Sequence, residues 1–184
     1  MVFNDGSTDG TQRVLDGFKN DCKQITFIQS QDNKGIAHGR STLLKASQSK
    51  DDLAYILWLD SDDFYTDINF IKKFVDKMEE TKADICFFNF KVQYESSDVE
   101  NNAAGLKKDK NLSEKIMDKI AEFDNGICSV ERYPEVMNFS SLGCIKGYKN
   151  ASIIPHAKDE GLYEDFVYMA ALLSVDKIIS FPSD

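Results

Sequence analysis

Apolar residues recur along this chain in two alternating rhythms. Short apolar runs bounded by polar turn formers predict strands over 1–4, 25–28, 53–59 and 85–94. Between them, apolar positions at helical spacing predict helices over 11–19, 35–47 and 68–79. Val14, Leu15 and Phe18 share a face of the first, and Ile68, Ile71, Phe74, Val75 and Met78 share a face of the third. Strands alternating with helices predict an α/β fold with an at least partly parallel sheet, the four strands lying together and flanked by the helices. After residue 94 the rhythm breaks. Residues 95–111 are polar without apolar periodicity and read as an exposed loop. A helix over 112–123, an irregular stretch over 124–143, a strand over 144–148, a helix over 163–173 and a strand over 178–181 complete the expectation. No internal repeat is present, and 1–184 reads as one domain in two halves, 1–94 and 112–184.

Composition narrows the function classes. The chain has 184 residues, enough to bury a sizeable core, and a formal charge of −9. That sign argues against nucleic acid or an anionic membrane surface as principal partner. It suits a site that needs a metal to accept an anionic substrate, and equally a plain acidic surface. Cys22, Cys86, Cys128 and Cys144 show no C-x-x-C spacing, so zinc and redox motifs are unsupported and reduced thiols in a cytoplasmic protein are expected. Cys86 falls inside an apolar run and is expected in the core. No apolar stretch approaches the ~20 residues of a membrane span, and no signal-peptide pattern opens the chain.

The densest chemistry lies at residues 56–63, Ile-Leu-Trp-Leu-Asp-Ser-Asp-Asp. An apolar strand that ends in three carboxylates delivers acids to the mouth of a site. Asp60, Asp62 and Asp63 cannot all be buried uncompensated, and hard oxygen ligands suit Mg²⁺ or Mn²⁺. If the strand persists, Asp60 and Asp62 point to one side, Ser61 and Asp63 to the other. The competing structural role is a solvated loop with Asp63 or Thr66 capping the next helix. A second strand-to-helix loop, Asn4-Asp5-Gly6-Ser7-Thr8-Asp9, can meet a nucleotide. Gly6 permits close backbone approach and Asp5 is placed to accept from a base or ribose. Its structural alternative is a turn capped by Ser7, Thr8 or Asp9. Neither an EF-hand order nor a G-x-G-x-x-G is present. Asn33-Lys34-Gly35 followed by Arg40 places a guanidinium near a helix start, where it can fork onto a phosphate or remain solvated. Glu164 and Asp165 open the late helix, as a general base or as acids favoured by the helix dipole.

Taken in order, NDGSTDGT, N-x-G-x-x-x-x-R, LDSDD and a late ED resemble family 2 glycosyltransferases of the GT-A fold, above all bacterial enzymes of capsular, exopolysaccharide or cell-wall glycan synthesis. The resemblance runs from Asn4 to about Phe181. It implies a GT-A type, mostly parallel central sheet, with 1–94 as the nucleotide-sugar-binding half and 112–184 as the acceptor-side half. It implies that Asp5, with Gly6 and Ser7, meets the nucleotide. Asp62 would ligate the metal, with Asp60 and Ser61 nearer the ribose or a metal-bound water. Arg40 falls on the family's arginine, although the asparagine that often follows it is Ser41 here. Asp165 would be the catalytic base, supported by Glu164.

The expected activity is inverting, Mg²⁺- or Mn²⁺-dependent transfer from a UDP-sugar to a glycan or lipid-linked acceptor, in the cytoplasm or at the inner face of the cell membrane. Peripheral membrane association of a full-length enzyme would follow from such an acceptor. Such enzymes usually carry a strand of the type SIIIPxYN and a helix before the NDGS strand, where this sequence begins. A missing central strand leaves an open edge, so self-association and weak activity are expected of the chain alone. The alternatives are an inactive binding remnant and a nucleotidyltransferase. The latter would want a Gly-rich basic phosphate loop near its N-terminus, and none is seen.

Overall fold

The computed structural model describes residues 1–48, 50, 52–88, 130–131, 134, 146–150 and 178–181. Among them the chain runs β1 (Val2–Asp5), α1 (Thr11–Phe18), β2 (Phe27–Ser30), α2 (Ile36–Gln48), β3 (Tyr55–Leu57), α3 (Phe70–Thr81), β4 (Ile85–Phe88), β5 (Lys146–Lys149) and β6 (Ile178–Phe181). The predicted alternation of strand and helix is therefore present through residue 88. The strand expected over 25–28 starts two residues late because Ile25 closes a turn, its N–H donating to the Cys22 carbonyl at 3.0 Å. The expected loop at 95–111 and helices at 112–123 and 163–173 lie outside the described residues, and so does the division into halves.

Sheet formation corrects one expectation. The four early strands do not share one hydrogen-bonded sheet among the described residues. β1 pairs parallel with β2, from Val2↔Phe27 to Asp5↔Ser30. β3 and β4 belong to a second sheet of order β3-β5-β4-β6. In it β4 and β6 are parallel, while β5 runs antiparallel to both β3 and β4. Within this second sheet β5, from late in the chain, stands between β3 and β4, which therefore do not pair directly as a short crossover would favour.

The core belongs to this second sheet. Phe74 and Met78, one helical turn apart on α3, are buried with Ala83, Cys86 and Ile179, and Tyr55, Leu57 and Val75 pack around them. Ile85, Phe87, Tyr148 and Ile178, which alternate onto the other face of the sheet, are fully buried as well. Burying each such large apolar side chain contributes roughly 1.5–3 kcal/mol. A glycine in β5 makes the packing possible: a Cβ at Gly147 would lie 2.3 Å from Phe74 Cε2. Helix α3 ends at Lys82, which takes φ 55° and donates its N–H to the Met78 carbonyl at 2.8 Å. Cys86 is in the core as expected, and burial pushes its thiol pKa up to about 12.

The β1–β2 unit is built differently. Helix α1 buries none of its residues, and its apolar face leaves Val14 and Phe18 exposed. Helix α2 lies on β1 instead, where a Cβ at Gly39 would stand 3.0 Å from the Phe3 ring. Among the described residues no helix is long and apolar enough to cross a membrane.

Candidate functional site

The loop after β1 is organised by its own polar residues. Asn4, the one buried polar side chain of β1, donates from Nδ2 to Gln12 Oε1 at 2.8 Å, while its Oδ1 accepts from the Ser7 N–H at 3.1 Å. One amide thus ties the strand to the loop and to α1. Asp9 Oδ1 accepts from the Thr11 N–H at 2.8 Å, so the acid steadies the helix entry although Gly10 is the N-cap residue. The Thr11 hydroxyl first, and then this N–H, hold the Asp9 carboxyl below its ordinary range. Gly6 sits at φ +69°, and a Cβ there would be 2.6 Å from the Asp32 carbonyl carbon. A side chain at this position meets both backbone strain and a collision, so the glycine lets two loops touch.

Asp5 reaches across that contact. Its carboxylate accepts from the Lys34 N–H at 3.0 Å to each oxygen and from the Gly35 N–H at 2.7 Å. Asn33 Oδ1 accepts from the same Gly35 N–H at 3.1 Å. Gly35 itself takes φ +88°, and its carbonyl accepts from Gly39, the first bond of α2. Two donors occupy a carboxylate with about four acceptor sites, which leaves capacity for a ligand.

One turn into α2, Arg40 leaves the helix for the second loop. Its Nη2 donates to Asp60 at 3.0 and 3.2 Å, and its guanidinium carbon stands 5.8 Å from the Trp58 ring centroid. Its side chain is 14% exposed, against 46% for Asp60. The arginine expected to fork onto a phosphate is thus already engaged with the first acid of the DSDD run.

Strand β3 stops at Leu57, and the chain turns so that the Asp63 N–H donates to the Asp60 carbonyl at 3.1 Å. The alternation expected to split the acids between two faces does not apply, because a turn replaces the strand there. Instead the charges crowd. Asp63 is exposed, yet slight desolvation of its carboxyl, with the charges of Asp62 and Asp60, raises its pKa. Ser61 and Asp62 are exposed. The expected capping by Asp63 or Thr66 is not what opens α3: Asn69 is its N-cap residue, and Asp67 Oδ1 accepts from the Asn69 N–H at 2.8 Å.

The donor set fits a hard cation in part. Carboxylates of Asp60 and Asp62 on an exposed turn are suitable ligands, and crowded negative charge favours a cation. Among the described residues no group of three His, Cys, Asp or Glu is gathered to hold a metal alone. An ion held here would complete its coordination from beyond these two carboxylates. Asp165 and Glu164 lie outside the described residues. Sequence reasoning gave no separate role to Asn4, Trp58 or the backbone of 33–35. Only the position of Asn4 beside Asp5 and of Trp58 before the acids hinted at one.

Comparisons with known proteins come from three directions. The family model described as "Glycosyl transferase family 2" matches residues 1–133. A teichoic acid poly(glycerol phosphate) polymerase of Staphylococcus epidermidis is 36% identical over 64 residues, which is 34% of this chain and 8% of that protein. The crystal structure of S. aureus TarS 1-349 superposes with a TM-score of 0.66 at 17% identity, over 100% of this chain and 48% of that one. The chain thus spans about half of the solved structure it resembles and a small part of the polymerase.

Proposed function

The chain belongs to glycosyl transferase family 2, and from that premise we propose that it transfers a sugar from a nucleoside diphosphate donor, a UDP-sugar, to a hydroxyl of a glycan or lipid-linked acceptor in cell-surface glycan synthesis. The observation that carries this reading is the connected run Asp5–Lys34/Gly35–α2–Arg40–Asp60, which links the two acid-bearing loops. In this reading Asp5, Gly6 and Ser7 receive the nucleoside, and Arg40, Asp60 and Ser61 border the ribose and diphosphate. Asp62, with Asp60 beside it, holds Mg²⁺ or Mn²⁺, which supplies positive charge against the leaving diphosphate. Arg40 has a double use there: it neutralises Asp60 and keeps a donor-side guanidinium fixed before any ligand arrives. Asp165, supported by Glu164, takes the proton of the acceptor hydroxyl, and attack from the face opposite the diphosphate inverts the anomeric centre. The proposed setting is the cytoplasm, at the inner face of the membrane where the acceptor is lipid-linked.

A sugar-transfer and donor-hydrolysis assay on the full-length protein tests the assignment. Asp165→Asn is expected to lower turnover on the order of 10²-fold while sparing donor binding. Unchanged turnover removes Asp165 as the base.

A second reading, an inactive self-associating module, is favoured by one observation. Among the described residues β1 pairs only with β2, and no described strand pairs with its other edge, where backbone donors and acceptors could meet a second chain. Light scattering combined with the hydrolysis assay separates the two. A monodisperse chain turning over a UDP-sugar at ~1 s⁻¹ or faster sinks the module reading.

A further inference from the structure

We infer that Asp5 is a positioning residue for the Arg40–Asp60 pair, acting through the N-terminal end of α2, and not solely a group that meets the nucleotide. Its consequence for donor binding rests on the reading above; the positioning itself does not. The Asp5 carboxylate accepts from two consecutive backbone N–H groups, of Lys34 and Gly35, at 2.7–3.0 Å. They stand where α2 begins, since the Gly39 N–H bonds the Gly35 carbonyl at 3.1 Å. A negative charge there also complements the positive end of the helix dipole.

The same strand grips α2 at a second point. Gly39 lies so close to Phe3 that a Cβ would be 3.0 and 3.2 Å from two ring carbons, and His38 meets that ring edge-on at 6.0 Å. Asp5 fixes the helix along its axis and Phe3 fixes its rotation. Arg40 is the next residue. Its direction is therefore set by the seat of Gly39, at about 100° around the helix. The geometry leaves little slack, because a slip of one residue moves Arg40 by ~1.5 Å along the axis. That is enough to break hydrogen bonds of 3.0 and 3.2 Å to Asp60. Loss of the Asp5 clamp thus reaches Asp60, in the other acid-bearing loop, without any ligand present.

The chain has a single tryptophan, Trp58, and Arg40 stands 5.8 Å from its ring. Its emission and acrylamide quenching read access to the ring, which changes when the guanidinium beside it moves. The experiment measures them for Asp5→Ala, the milder Asp5→Asn, Arg40→Gln and the double variant Asp5→Ala/Arg40→Gln, with folding checked by circular dichroism. Asp5→Ala is expected to change quenching in the same direction as Arg40→Gln and to add nothing in the double variant. Asp5→Asn, which keeps one acceptor oxygen, should give a smaller change of the same sign. Unchanged Trp58 quenching in both Asp5 variants, or effects that simply add, overturns the inference.

A second arm uses Mn²⁺ with inorganic pyrophosphate, which carries the diphosphate and no base. Asp5→Ala should weaken this probe about tenfold, the scale of losing a charged hydrogen bond. Full pyrophosphate affinity with lost UDP affinity would show that Asp5 acts on the base alone, and overturns the inference. A wild-type chain that ignores pyrophosphate speaks against the donor reading, while the Trp58 cycle still decides the positioning role.

Discussion

The two sheets of this molecule hold together by different means. The β3-β5-β4-β6 sheet has a helix laid on it, and Phe74, Met78, Ile85, Phe87, Tyr148 and Ile178 are all buried to within 1%. The β1–β2 pair has Asn4 as the one buried residue of its strands, and α1 beside it buries none. What it has instead is a set of polar clamps: Asn4 to Gln12 and Ser7, Asp5 to Lys34 and Gly35, and Gly6 pressed on Asp32. Hydrophobic burial is strong and indifferent to direction, whereas hydrogen bonds are individually modest and set geometry. The second sheet supplies stability, and the first supplies placement. Of the candidate ligand-binding groups, Asp5, Gly6 and Ser7 follow β1 on the placement side, while Asp60, Ser61 and Asp62 follow β3 of the second sheet. Arg40 joins the two regions, carried by α2 and bonded to Asp60 after β3.

The contrast makes the largest expected effect a core substitution. Phe74→Ala should cost about 3–5 kcal/mol of unfolding free energy in urea denaturation, because its ring is fully buried. A cost below ~1 kcal/mol would show that stability does not reside in this sheet. Next, Gly147→Ala should cost about 1–3 kcal/mol by driving a methyl into the Phe74 ring, 2.3 Å away. The same change in a Phe74→Ala background should cost much less, since the obstacle is gone. A double-mutant cycle without such coupling contradicts the packing described.

Gly6→Ala sharpens the other side. It should cost stability roughly 1–3 kcal/mol through its φ of +69° and the 2.6 Å approach to Asp32. Its larger expected effect is on UDP affinity, by tenfold or more, because both loops must move apart. Normal UDP binding by this variant would break the claim that polar placement serves the site.

The smallest effect is expected at the entry to α3. Asp67 accepts from the Asn69 N–H and pairs with Lys73 at 3.0 Å, and these partners hold its pKa below the ordinary carboxylate range. A lowered folded-state pKa stabilises above the unfolded value of about 3.9 and loses that contribution as pH falls through the folded value. Asp67→Ala should therefore lower the thermal midpoint slightly at pH 7. The difference from wild type should shrink below about pH 4. A difference that grows with acid contradicts the sign.

Much of this was legible in the sequence because it is local. Helical spacing located α3 with its buried Phe74 and Met78, although Ile68 precedes the helix and both Ile68 and Ile71 of the same expected face are exposed, and turn formers located both acid-bearing loops. What was not legible depends on distant residues. That β5 enters between β3 and β4 follows from pairing across the length of the chain, which no local pattern encodes. Direct β3–β4 pairing fails for that reason, and β1–β2 forms a sheet of its own among the described residues. Separate sheets counted against the fold expectation, yet the likeness to TarS extends over 100% of this chain, so the fold class stands while the pairing expectation does not. The sequence placed Val14, Leu15 and Phe18 on one face of α1, and Val14 and Phe18 are exposed, since periodicity states which face is apolar and not what covers it. At the site, the acid types were readable from DSDD. The engagement of Arg40 with Asp60 was not, because their approach depends on how α2 sits on β1.

The central claim is that the Asp60–Asp62 turn receives a metal together with the diphosphate of a nucleotide. Isothermal calorimetry of Mn²⁺ binding with and without UDP tests it most directly. With no third protein ligand gathered among the described residues, Mn²⁺ alone should bind weakly. Saturating UDP should tighten Mn²⁺ by tenfold or more, Mn²⁺ should tighten UDP by the same factor, and Asp62→Ala should abolish both effects. Equal Mn²⁺ affinity with and without UDP, or the same enhancement in Asp62→Ala, would contradict the account.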